Sequence, residues 1–300
     1  LHNLENFLSF EIGKIKSDNL HGASYLTKKC AELIIFLAKK DTKPDILQKA
    51  AVKLAGARPM MASIFSFANS LLFLLDKHPK KEKIISFCNE FIKKYNQAAQ
   101  TSSSNGAELI SSGDTLLTHS FSSIVFDALK RAKYSGKDFK VICTESRPAC
   151  EGVKLAEELC KIGIKTTLIT DAAAPFMTKK ISFVLIGADG TGNFGLVHKI
   201  GTYGIALCAK DNGKKVISLS TSQKFWPYSL KPPLEPLKNR NEIVNNDCLD
   251  VINIYFDFTP LHLIDAISTE NGFLGADEVQ KLCKKIEIHT LLKDKYADRF

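Results

Sequence analysis

The chain has 300 residues, 45% of them hydrophobic and 24% charged, with only ten prolines. That length allows about two domains at roughly 100–200 residues each, and the composition excludes collagen-like, mucin-like and largely disordered chains. The formal charge of +9 is uneven, because residues 1–100 hold sixteen Lys or Arg against nine Asp or Glu. Runs such as Lys28-Lys29, Lys39-Lys40 and Lys80-Lys81 carry the excess without interleaved aromatic platforms. They read as solvated helix faces, or as a positive field for an acidic partner, RNA or anionic substrate, and do not point to direct nucleic-acid binding.

No apolar run reaches the roughly 18–20 residues of a membrane span, and no segment near Leu1 has the order of a secretory signal. The eight cysteines include no CxxC pair, which argues against structural zinc and redox motifs. Most lie in apolar stretches such as Ile142-Cys143-Thr144, where a free thiol behaves as a small hydrophobe. A reducing cytoplasm is the expected compartment.

From residue 4 to about 98 apolar residues recur at spacings of three and four, as in Leu26, Cys30, Leu33 and Leu37, which predicts helices. Pro44 opens one and Pro79 ends another. The serine-rich stretch 101–106 reads as a linker, so we divide the chain into a helical domain, 1–105, and a second domain, 106–300. Beyond it, short branched runs at 115–118, 140–144, 166–170, 182–187, 216–220 and 251–256 mostly alternate with helical stretches such as 123–133 and 153–162. This predicts an α/β chain whose second domain is a Rossmann-like parallel sheet.

Polar residues follow the strand ends of that sheet: His119-Ser120, Glu145-Ser146-Arg147, Asp171, Asp189-Gly190 and Thr221-Ser222. Ligands bind at such ends where strand order reverses, and this set suits a phosphorylated polyol. The run Gly190-Thr191-Gly192-Asn193-Phe194-Gly195 satisfies G-x-G-x-x-G but lacks an acidic residue at the end of the next strand. Dinucleotide binding is therefore not expected, nor is any other cofactor.

Several residues admit two readings. Arg147 either holds a phosphate at a helix start or pairs with Glu145 or Glu151, and Arg58 either faces a ligand or forms a structural ion pair. Asp189 reaches a sugar hydroxyl or forms a turn, and Ser120 bonds a ligand or caps a helix. Lys199 contacts a ligand or opens a helix in solvent. His21 and His198 have no His or Cys partners at metal-ligand spacing and read as polar lining or surface.

The motifs Thr118-His119-Ser120, Thr144-Glu145-Ser146-Arg147-Pro148 with Gly152, Gly187-Ala188-Asp189 and His198-Lys199-Ile200-Gly201-Thr202 form one ordered pattern. With His21-Gly22-Ala23, Ala57-Arg58-Pro59, residues 255–260 and Thr269-Glu270-Asn271-Gly272, the chain resembles the regulatory alpha, beta and delta subunits of eukaryotic translation initiation factor 2B. That family also holds the ribose-1,5-bisphosphate and methylthioribose-1-phosphate isomerases. The resemblance implies a ligand site of Gly22, Ala23, Arg58, Ser120, Arg147, Asp189, His198 and Lys199, and a structural role for Asp257 near a dimer contact.

In the isomerase branches a cysteine after Thr-His and the aspartate of Gly-Ala-Asp flank the sugar. Here the aspartate is Asp189 but the cysteine position holds Ser120, and the family's arginine and asparagine positions hold His21 and His198. An unassisted hydroxyl is a far weaker acid than a thiol. The expectation is therefore a non-enzymatic subunit-like protein that binds a sugar phosphate or nucleotide. It would pair with itself or related subunits, with a translation initiation factor as a further possible partner. The alternative is a sugar-phosphate aldose–ketose isomerase with Asp189 catalytic.

Overall fold

The computed structural model describes residues 2–19 and 21–296. Five helices come first: α1 (His2–Ser17), α2 (Ala23–Lys39), α3 (Pro44–Ala55), α4 (Ala62–Leu75) and α5 (Lys81–Leu109). The three-and-four spacing of α2 buries Leu26, Cys30, Leu33 and Leu37 on one face, and Pro44 starts α3 with its fixed φ and absent N–H. Helix α4 is apolar almost all round and lies at the centre of this half, burying Ile64, Phe65, Phe67, Leu71 and Leu72. No described helix is long and apolar enough to cross a membrane.

The expected linker is not one. Residues 101–106 continue helix α5, so the division at 105/106 passes through a helix. The small polar residues serve close packing: Ser102 Oγ donates to Ser268 O at 3.0 Å, and Asn105 donates to Thr269 O at 3.1 Å. At Gly106 an added Cβ would stand 2.6 Å from Leu219 Cδ1, so the residue lets the helix settle on the sheet.

The second half runs β1 (Thr115–Thr118), α6 (Ser123–Tyr134), β2 (Lys140–Thr144), α7 (Glu151–Lys161), β3 (Lys165–Ile169), α8 (Ala174–Met177) and β4 (Phe183–Ile186). It continues with β5 (Gly190–Gly192), β6 (Gly195–Lys199), α9 (Thr202–Asp211), β7 (Lys215–Leu219), β8 (Phe256–Thr259), β9 (Ala266–Thr269), β10 (Gly272–Leu274), α10 (Ala276–Lys284) and α11 (Thr290–Tyr296). The main sheet has the order β3-β2-β1-β4-β7-β9-β10, parallel except for β10. Among its parallel strands the order is that of a doubly wound Rossmann sheet, with the reversal between β1 and β4.

Five strand expectations match to within a residue at each end, and the sixth does not. Residues 251–255 form no strand, and β8 pairs antiparallel with β6 in a separate sheet, β5-β6-β8. The branched residues of that run face outward, Ile252 being 74% exposed, while Asn253 and Tyr255 turn inward. The sixth parallel strand is β9. The glycine-rich run builds the hairpin β5–β6 and not a strand-to-helix loop, which removes the dinucleotide geometry.

The two halves share one apolar core, since Val197, Trp226, Leu230, Tyr255 and Phe256 pack with the buried faces of α2 and α4. Backbone also crosses: Ala62 N–H, at the start of α4, donates to Asp189 O at 2.9 Å. Gly152 marks the tightest approach near the reversal point, where an added Cβ would lie 1.9 Å from Thr144 O. Because that neighbour is backbone, Gly152→Ala should destabilise the protein by about 3 kcal/mol, read as a lowered midpoint in urea unfolding. An unchanged midpoint would contradict this packing.

Candidate functional site

A cavity of about 300 Å³ lies where the ends of β1 and β4 meet the helical half. Its wall includes Gly22 and Ala23 at the start of α2, Ser122 and Ser123 at the start of α6, and Glu151 at the start of α7. Three helix N-termini thus border one space, each presenting the positive end of its dipole.

Ser120 follows β1 in a left-handed conformation, φ +67°, a strained geometry for a non-glycine residue. A buried chain of hydrogen bonds holds it. His119 Nε2 donates to Ile200 O at 2.8 Å, which leaves Nδ1 to accept from Thr144 Oγ1 at 2.6 Å. Thr144 Oγ1 lies 3.0 Å from Ser146 Oγ, which accepts from Ser120 N–H at 2.8 Å. The Ser120 hydroxyl itself donates to Glu151 Oε1 at 2.7 Å. Of its two sequence readings, the cap belongs to Ser122, whose side chain accepts from Val125 N–H.

Glu151 Oε1 also pairs with Lys199 Nζ at 2.9 Å. Lys199 is almost wholly buried, with its ammonium 4.4 Å from the centre of the Tyr255 ring, so it is not a solvated side chain. Asp189 lines the cavity, and its carboxyl makes no hydrogen bond among the described residues. Burial pushes Asp189 above the usual aspartate range, against the opposing pull of Lys224, Arg58 and Lys199. Lys224, also buried, donates to Ala188 O at 2.5 Å.

Arg58 borders the cavity but is engaged in a structural ion pair. Its Nε lies 2.9 Å from Glu235 Oε1, both side chains are nearly inaccessible, and its Nη1 donates to Asp18 O. Breaking such a buried pair from one side costs about 3–5 kcal/mol. Arg147 does not line the cavity. Its backbone N–H and that of Ser146 donate to the Asp171 carboxylate, and the guanidinium runs outward to Glu242 O at 3.0 Å. His21 lines the cavity with Nδ1 2.9 Å from Asp18 Oδ2 and its ring stacked on Tyr25. His198, at the same cavity, accepts or donates through Nδ1 at Thr202 Oγ1, 3.0 Å away.

Sequence reasoning missed Lys224 and gave Glu151 no role beyond a partner for Arg147. Lys224 stands shortly after Thr221-Ser222, and the strand-end rule that flagged those residues reaches it when extended by one turn. Glu151 opens α7, so only the fold brings it to Ser120, 31 positions away.

A doubly wound sheet with a charged crevice at its reversal point defines the class. The chain belongs to the Initiation factor 2 subunit family, which it matches over residues 23–276. It is 34% identical to a translation initiation factor eIF-2B subunit 2-like protein of Pyrococcus horikoshii over 87% of this chain and 94% of that one. It is equally 34% identical to the ribose 1,5-bisphosphate isomerase of Methanocaldococcus jannaschii, covering 87% of this chain and 89% of the other. The crystal structure of the Pyrococcus horikoshii translation initiation factor eIF-2B superposes with a TM-score of 0.80 at 31% identity, covering 89% and 96% of the two chains.

These relatives overturn the expectation of a non-enzymatic subunit. Relatives named ribose 1,5-bisphosphate isomerase stand at 28–34% identity and favour the isomerase alternative. The physical premise of that expectation also fails, because Ser120 is not an unassisted hydroxyl: it rests on a carboxylate.

Burial lowers His198 well below the ordinary histidine range and lowers His119 as well. With folded pKa values depressed, the unfolded chain binds more protons, so this stability is present above about pH 6.5 and lost as pH falls below it. Asp189 and Asp257, both raised by burial, act in the opposite sense, so the test is a difference between variants. Wild type minus His198→Asn should show an extra loss of about 1 kcal/mol between pH 6.5 and 5.5, measured by urea unfolding. Parallel curves would mean that His198 is charged in the folded state.

Proposed function

We propose that this protein is an aldose–ketose isomerase acting on ribose 1,5-bisphosphate. The observation that carries the reading is one cavity holding both Asp189, pushed toward its protonated form, and a hydroxyl backed by a carboxylate, Ser120 on Glu151. Isomerisation moves one hydrogen from C2 to C1 and needs an acid and a base together, with no outside reagent. The names of the relatives support the substrate.

In this reading the three helix N-termini, with Lys154, Lys199 and Lys224, attract the phosphates. Asp189 gives its proton to the ring oxygen as the ring C1–O bond breaks, and a base removes the C2 proton, leaving a C1=C2 enol. The proton then enters C1 while the C2 hydroxyl returns a proton to the Asp189 carboxylate and becomes the ketone. Protons and electrons balance, and both side chains are restored. Self-association through the sheet-bearing half belongs to the same proposal, supported by the exposed Phe176, Tyr203 and Leu207 on the packed helices α8 and α9.

Purified protein should convert ribose 1,5-bisphosphate to the ketose, followed by NMR of the product. Asp189→Asn should lower kcat by at least about 100-fold while KM changes little. Absence of ketose with the wild-type protein at micromolar concentration sinks the reading.

A further inference from the structure

We propose that Glu151 is the proton acceptor of the reaction, working through the Ser120 hydroxyl as a two-residue relay. The inference rests on the isomerase reading above and names the base which that reading leaves open.

Four observations carry it. Ser120 Oγ lies 2.7 Å from Glu151 Oε1, a short hydroxyl-to-carboxylate bond. The strained backbone at Ser120 is fixed by the His119–Thr144–Ser146 chain through its N–H, which leaves the hydroxyl to Glu151. Lys199 anchors the same carboxylate oxygen at 2.9 Å and is itself held over Tyr255. The other oxygen, Glu151 Oε2, is buried without a hydrogen-bond partner among the described residues, which leaves the carboxylate with unused accepting capacity. A capping or packing role explains none of these together.

The step balances within the relay. The C2–H bond breaks as Ser120 Oγ takes the proton, and the proton already on Ser120 passes to Glu151 Oε1. The C–H electron pair becomes the C1=C2 bond. Reversal of the relay delivers the proton to C1, so serine and glutamate end as they began. A thiol, with an ordinary pKa near 8.5, exchanges a proton near neutrality without such a carboxylate, whereas a hydroxyl requires it.

The test uses the full chain and ketose formation from ribose 1,5-bisphosphate. Glu151→Gln keeps the size of the side chain and should lower kcat about 100-fold or more with KM changed by no more than about threefold. Ser120→Ala, which leaves the Lys199 pair intact, should fall equally, and the double variant should be no worse than either single one. Ser120→Cys should remain active and be indifferent to Glu151→Gln, because the thiol serves as its own acid and base. The relay is overturned if Glu151→Gln keeps the wild-type kcat, or if it lowers the serine and cysteine forms by the same factor, as a purely structural glutamate would. An inert wild-type protein would instead remove the isomerase reading itself, so the two failures are separable.

Discussion

Desolvation of charge governs this molecule. At the junction of the two halves, Arg58, Lys199 and Lys224 are nearly inaccessible to solvent, and each is tolerable only because an oxygen stands within hydrogen-bond distance. Glu235 serves Arg58, Glu151 serves Lys199, and the Ala188 carbonyl serves Lys224. These partners come from three separate stretches of chain. The folded arrangement of both halves is therefore a condition for any of the charges to be buried, and the apolar core shared by α4 and Trp226 supplies it.

From that constraint follows the division of labour in the crevice. The Asp189 carboxyl has no hydrogen bond among the described residues, and its backbone is pinned on both sides, by Ala62 N–H on its carbonyl and by Val197 O on its amide. Burial pushes it toward the protonated acid. Glu151, by contrast, carries both a lysine and a serine on one oxygen. In the proposed isomerase reading these two carboxyl groups of one cavity, differently partnered, take the roles of acid and base. Phosphate groups entering among Lys154, Lys199, Lys224 and the helix N-termini would add negative charge where the protein supplies positive potential.

Much of the frame was legible in the sequence, and for physical reasons. Short branched runs at 115–118 and 140–144 coincide with β1 and β2, since a strand buried on both faces has little freedom in composition. The strand-end rule singled out Ser120 and Asp189, and both line the cavity, because a parallel sheet presents its carboxyl ends to one side. Where reading failed, a tertiary contact had overridden local pattern. Serines and a glycine at 101–106 look like a linker until Ser102 and Asn105 are seen bonding the β9 backbone. The branched run at 251–256 looks buried until Asn253 is found inside, tied to Asn239 O and Glu242. Arg147 was sent outward by the grip of Asp171 on its backbone, a contact spanning 24 positions that no local spacing encodes.

The exchange of a thiol for a hydroxyl at Ser120 illustrates how a single position misleads when it is read alone. A thiol brings its own acidity, so its neighbours need do little; a hydroxyl borrows acidity or basicity from whatever it touches. The meaning of the serine therefore lies in Glu151, and Glu151 in turn has meaning only because Lys199 and the backbone strain at Ser120 hold both groups in register. Local sequence ranks the serine as a loss because the compensating carboxylate arrives from the start of α7, through a fold-level contact. Under the proposed relay, reactivity in this crevice is a property of the pair, and the pair exists only in the folded chain.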